Sequence, residues 1–196
     1  MNGDWAEREA RLVNLPEDEP SVFATYIHHV YTNNIATRVS DEPRTLPMNC
    51  NEMTHLCKLY VLGEKLGDPA AKNGTIEAIF TTHTERAPDG RMYSPPREAI
   101  KIMYDGTPAG SNGRRLVVDM WTTVCDQGVY LSESMQTLSK EFWFDLACAL
   151  LEARLPGRVL NVTATNGRPW NVAITNGGLW NVAITNGVSA YLEKME

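Results

Sequence analysis

From Leu56 to Phe80 the chain reads LCKLYVLGEKLGDPAAKNGTIEAIF. Leu56, Leu59, Tyr60, Gly63 and Leu66 recur at steps of three and four, which gives a helix one apolar face while Lys58, Glu64 and Lys65 stay in water. Gly67-Asp68-Pro69 ends that helix. Glycine suits the left-handed position after the last turn, and proline disfavours a helical residue before it while opening the next helix well. The second helix carries Ala70, Ala71, Ile76, Ile79 and Phe80 on its buried side. Gly74 is its weak point, at about 1 kcal/mol against alanine in a helix interior. The unit is a hairpin of two helices, expected at 50–66 and 69–82.

Upstream, Arg11-Leu12-Val13-Asn14-Leu15 alternates apolar and polar residues as a short strand does. Pro16-Glu17-Asp18-Glu19-Pro20 is a turn that sets acids ahead of a helix N-terminus, where the macrodipole favours them. Ser21 is the expected cap. Val22, Phe23, Tyr26, Ile27, Val30 and Tyr31 then have helical spacing up to Asn33-Asn34, so a helix is expected at about 20–32. Residues 35–49 hold two prolines and no sustained period, which reads as a loop.

Downstream, Glu85 to Pro96 is rich in proline and glycine and marks a boundary. Helices are expected at 97–104, at 115–125 with Ser111 as cap, and at 138–154. In the last, Ser139 is the cap and Phe142, Leu146, Ala149 and Leu150 form the buried stripe. Residues 160–187 are of another kind: a ten-residue repeat in which WNVAITNG recurs unchanged and Asn-Gly closes each unit. Alternation with Asn-Gly is a hairpin signal. Identical copies are also what a recent duplication leaves in a chain end under no structural demand, and both readings stand. The fold class expected is α+β and predominantly helical, divided into 1–84, a linker at 85–96, 97–157 and a repeat tail at 158–196.

Composition narrows the function classes. The chain has 196 residues, 43% of them hydrophobic, enough to bury a core. Eighteen basic residues against 24 acidic ones give a net charge of −6. The basic residues do not cluster beyond Arg114-Arg115, which argues against nucleic acid and anionic membranes as partners. No apolar run is long enough to span a bilayer and the first residues are polar, so an intracellular place, cytoplasm or nucleus, is expected. Cys50, Cys57, Cys125 and Cys148 have unrelated spacings and read as reduced core thiols.

No catalytic, cofactor or metal site is expected. Gly106, Gly110 and Gly113 precede a helix, yet Arg114-Arg115 stands where a phosphate loop needs Lys-Ser/Thr. Cys50, His55 and Cys57 lack the second ligand pair of a zinc site, and His28-His29 does not supply one. Cys125-Asp126 with His83 has no local support as a nucleophile set.

The segments LVNLPEDEPSVFATYIHHVYTNNI (12–35) and LCKLYVLGEKLGDPAAKNGTIEAI (56–79) resemble the later part of a BTB/POZ domain of fungal type. YDGTPAGSNGRRLVVDMW (104–121) and the 138–154 helix are similar to the helical extension that follows this domain in fungal members. The resemblance covers about residues 1–155. The family's first strands and first helix have no counterpart here, so an N-terminally shortened relative is expected. What the resemblance implies is a partial BTB/POZ fold, a short strand plus helical hairpins, acting as a protein–protein interaction module. That module would be a scaffold, an adaptor of a cullin-type ubiquitin ligase or a self-associating platform. The contact residues expected are Tyr26, Tyr31, Leu59, Tyr60 and Leu66, although helical spacing of the tyrosines suits a core as well. Two other readings are a small enzyme of unrecognised type and a decayed, non-functional paralogue.

Overall fold

The computed structural model describes residues 18–37, 46–85, 94–124, 137–153, 162–163, 169–170 and 191–193. Among these residues the chain is predominantly helical. The helices are α1 (Pro20–Thr32), α2 (Leu46–Leu66), α3 (Pro69–Thr84), α4 (Arg97–Gly106), α5 (Asn112–Val124) and α6 (Lys140–Ala153). The strand expected at 11–15 lies outside the described residues.

The α2–α3 junction forms as its residue types dictate. Gly67 adopts φ +63°, its N–H donates to Glu64 O (3.2 Å) and the Asp68 N–H donates to Gly63 O (2.9 Å), so two of the free carbonyls at the end of α2 are met. Pro69 opens α3, and Asp68 Oδ1 accepts the Ala71 N–H at 3.0 Å as its cap. Ser111 Oγ accepts the Arg114 N–H (3.3 Å) and Ser139 Oγ the Phe142 N–H (3.2 Å), capping α5 and α6 as expected.

Several boundaries differ from the sequence expectation, most by one or two residues, and the departures at the starts of α1, α2 and α5 have a local cause. Glu19, not Ser21, occupies the cap position of α1, because Pro20 takes the first helical place, where its missing amide costs nothing. Helix α2 begins at Leu46 rather than 50, and Pro47 falls in its first turn, where proline starts a helix instead of breaking one. Helix α5 begins at Asn112, straight after its serine cap, rather than at 115.

Helix α2 is the central element and touches α1, α3 and α4, while α6 packs on α5 and α4. One core cluster joins Met53, Leu56, Tyr60, Ile76 and Ile79 of the hairpin to Ile100, Met103, Leu116, Trp121 and Phe142 of the later helices. The helices on both sides of 85–96 thus share a single apolar interior. At its centre the Phe142 ring meets Tyr104 and Trp121 edge-on, with centroids 5.5 and 5.8 Å away. Trp121 Nε1 donates to Pro95 O at 3.0 Å, satisfying the one polar atom of the indole. A smaller cluster of Val22, Leu59 and Leu62 fastens α1 to α2.

In the tail, Val162–Thr163 pairs antiparallel with Pro169–Trp170, Val162 opposite Trp170 and Thr163 opposite Pro169. The Asn166-Gly167 of the first repeat lies between them in sequence. The remaining repeats fall outside the described residues.

Candidate interaction surface

Helix α1 has two apolar stripes. Val22, Tyr26 and His29 face the hairpin: Val22 and His29 are buried, and the half-buried Tyr26 donates its hydroxyl to Asp68 Oδ2 at 3.0 Å. Asp68 therefore caps α3 with one oxygen and holds α1 with the other. Burial raises the Tyr26 phenol above its ordinary range, and the bond and charge of Asp68 push the same way. The second stripe, Phe23, Ile27, Val30 and Tyr31, faces water, with Val30 54% and Tyr31 84% exposed. From Pro20 to Thr37 there is no Asp, Glu, Lys or Arg, so this outer face carries no formal charge apart from any on histidine. Scattered exposed apolar residues are ordinary, whereas a contiguous apolar helix face is the usual mark of a contact surface.

Polar tethers hold α1 in place. Lys65 Nζ lies 3.1 Å from Asp18, and Lys58 pairs with Glu19. Thr25 Oγ1 hydrogen bonds to His55 Nε2 at 2.9 Å, and burial lowers the pKa of that histidine. His55 is thus engaged with α1, not with Cys50 or Cys57.

The expected contact residues separate. Tyr31 and Leu66 are exposed and Tyr26 is half-buried, but Leu59 and Tyr60 are wholly inside. Tyr60 Oη accepts the Gly113 N–H (3.2 Å) within the main core, so neither it nor Leu59 presents a side chain to a partner. The reason is the position of α2: with neighbours on three sides, most of its apolar residues are buried. Leu66 escapes because it sits in the last turn. Phe23, Ile27 and Val30, which the helical spacing grouped with Val22 and Tyr26, join Tyr31 on the open side. The signal for this was the long uncharged run, together with an apolar set too broad for one neighbour to cover.

Two hollows flank α1. One, about 400 Å³, is lined by His29, Asn33, Glu52, Gly74, Glu77 and Glu85. His29 Nδ1 has no hydrogen-bond partner there, and Glu52 accepts from Thr37 Oγ1 at 2.6 Å. The other, about 420 Å³, lies between α1, α2 and α4 and mixes Asp18, Glu98 and Asp105 with Lys58, Lys65 and Lys101. Among the described residues no three His, Cys, Asp or Glu side chains stand where they could hold a metal ion. Cys57 is buried and its thiol is pushed up to about 12 by desolvation, so it is not a nucleophile at neutral pH. Cys125 and Asp126 lie outside the described residues. The glycine-rich stretch before α5 is a turn: Gly110 has φ +77°, and Ser111 and Tyr60 take the first amides of the helix. Among the described residues no helix is long and apolar enough to cross a membrane.

No protein-family profile, curated protein or solved structure matches this chain.

Proposed function

We propose that this chain is a non-enzymatic protein–protein interaction module of BTB/POZ type, a scaffold whose contact helix is α1. The reading rests on one observation: a charge-free helix presents Phe23, Ile27, Val30 and Tyr31 to solvent from a firmly tethered position. Aromatic anchors such as Tyr31 are enriched among the groups that carry most of the energy in protein interfaces, and helix-in-groove recognition is read from an apolar helix face. The partner proposed first is the amino-terminal domain of a cullin, in keeping with an adaptor role, and the second is another copy of the chain.

The test is calorimetric titration of a purified cullin amino-terminal domain into the full chain, with the solution mass measured by light scattering. Wild-type protein is expected to bind or self-associate, and Val30→Glu with Tyr31→Glu is expected to abolish this while leaving the helical circular dichroism intact. A monomer without affinity for the cullin domain refutes the reading, and so does binding that survives both substitutions.

A further inference from the structure

After the last ten-residue repeat, Tyr191, Leu192 and Glu193 lie against α3 and α5. Tyr191 is buried, its hydroxyl donates to the carboxylate of Asp119, and the Arg115 guanidinium lies 5.8 Å from the ring centroid. Leu192 packs against the main core cluster. At Glu193 the Asn73 side chain reads the backbone from both sides: Oδ1 accepts the Glu193 N–H (2.6 Å) and Nδ2 donates to the Glu193 carbonyl (2.9 Å). The Glu193 carboxylate meets Lys72 Nζ at 2.8 Å, and the same ammonium holds Glu64 at 3.1 Å.

These are three separate modes of peptide recognition in one notch. A primary amide that pairs with both the N–H and the carbonyl of one residue reads extended backbone much as a neighbouring strand would. An aromatic ring in a closed pocket, with its hydroxyl satisfied, is the usual energetic anchor of a docked segment. A lysine facing a glutamate adds a charge-assisted bond that selects an acid two residues after the tyrosine. None of these contacts depends on the docked residues being joined to the helices by their own chain. In sequence, residues 154–190 separate Tyr191 from the end of α6.

We propose that this notch is a peptide-docking site for a segment of the pattern tyrosine, aliphatic, glutamate. The chain's own Tyr191-Leu192-Glu193 occupies it in cis, and the same pattern on a partner protein takes it in trans when that segment leaves. The proposal deepens the interaction-module reading by naming a partner chemistry, but it uses a surface to which α1 contributes nothing. A covalently joined segment competes without the entropic cost of recruiting a second molecule, so the tail acts as a built-in competitor.

The experiment uses the full chain and a fluorescein-labelled peptide copying residues 188–196, followed by fluorescence anisotropy. Tyr191→Ala empties the pocket and is expected to bind the peptide at least about ten-fold more tightly than wild type, whose notch is filled. Adding Asn73→Ala is expected to remove that gain, and a peptide with alanine in place of its tyrosine is expected not to bind. Equal affinity of wild type and Tyr191→Ala overturns the proposal, as does equal binding of the tyrosine-free peptide. Should Tyr191→Ala lose its helical circular dichroism, Glu193→Lys weakens the tail without opening the core. It too must bind more tightly than wild type, and failure to do so overturns the proposal. Loss of α1-dependent association with peptide binding intact counts against the scaffold reading alone, and the reverse counts against the notch alone.

Discussion

Replacing Arg114 separates two accounts of what joins α4, α5 and α6. Its guanidinium is buried, with Nη2 donating to Tyr104 O (2.7 Å) and to Thr107 O, and Nε donating to Thr107 Oγ1 (3.1 Å). Those carbonyls belong to the last turn of α4 and the residue that follows it, so the arginine caps one helix from inside another. Nη1 also pairs with Glu141 of α6 at 2.7 Å, and the guanidinium carbon stands 4.6 Å from the Tyr104 centroid. Arg114→Met keeps the aliphatic bulk and strips donors from two backbone carbonyls, at about 1–3 kcal/mol each if they stay dry. The substitution also removes the cation stacked on Tyr104, so a destabilisation of about 3–5 kcal/mol is expected, the usual cost of breaking a buried charged network. Glu141 is 68% exposed, so Glu141→Gln is expected to cost no more than about 1 kcal/mol, as solvated ion pairs do. Urea denaturation of the three proteins, followed by circular dichroism, reads both numbers. If Glu141→Gln costs as much as Arg114→Met, the ion pair and not the carbonyl capping holds the helices, and the reasoning fails.

Helix propensity alone favours Gly74→Ala by about 1 kcal/mol, yet a Cβ there would stand 2.8 Å from His29 Cε1. The substitution is therefore expected to destabilise by about 1–3 kcal/mol in thermal melts and to be relieved by His29→Ala; a stabilised single mutant would refute the close approach. Asp68→Ala removes both a helix cap and the anchor of Tyr26, and a loss of about 2 kcal/mol is expected, while Asp68→Asn keeps most of the cap and costs less. At alkaline pH the unfolded Cys57 thiol ionises from about 9 but the buried one only at about 12. The unfolded state thus sheds its proton first, and stability falls by as much as roughly 4 kcal/mol across that window. Burial raises the phenols of Tyr60, Tyr104 and Tyr191, which act in the same direction above about 10, and Cys57→Ala is expected to flatten the earlier part of the decline. An unchanged slope in that variant would mean that Cys57 is not shielded.

What could be read from the sequence was local. Gly67, Asp68, Ser111 and Ser139 act within three or four residues of themselves, and each forms the cap or stop that its type implies. Helix α1 shows where this ends. Val22 and Tyr26 make one stripe and Phe23, Ile27 and Val30 another, and helical periodicity does not tell them apart. Which one is covered depends on where α2 and α3 lie, and that is a tertiary fact. Arg114 reads in sequence only as half of a basic pair, because the groups that bury it, Tyr104 O and Thr107 O, belong to another helix and its cap. The Asn73 clamp on Glu193 joins residues 120 positions apart and has no local signature at all.

The two surfaces place different demands on the chain. The outer stripe of α1 can meet a partner without disturbing its attachment, since Val22, the Tyr26–Asp68 bond and the Lys65–Asp18 pair all lie on the opposite side or at the N-terminal end. Engagement there needs no rearrangement, and little ordering cost is subtracted from affinity. The notch between α3 and α5 works the other way. It is already filled, and a partner must displace a buried tyrosine, an amide clamp and an ion pair before making the same interactions itself. The net free energy of exchange is then small however many bonds form, so occupancy follows concentration and any event that loosens the tail. A ready face and a self-filled notch on one helical body would make the first contact constitutive and the second conditional. Because Lys72 and Asn73 of the notch sit only one turn into the helix that Asp68 caps, Asp68→Ala is expected to speed hydrogen exchange of the Glu193 N–H that Asn73 accepts, and unchanged exchange there would refute the link between cap and notch.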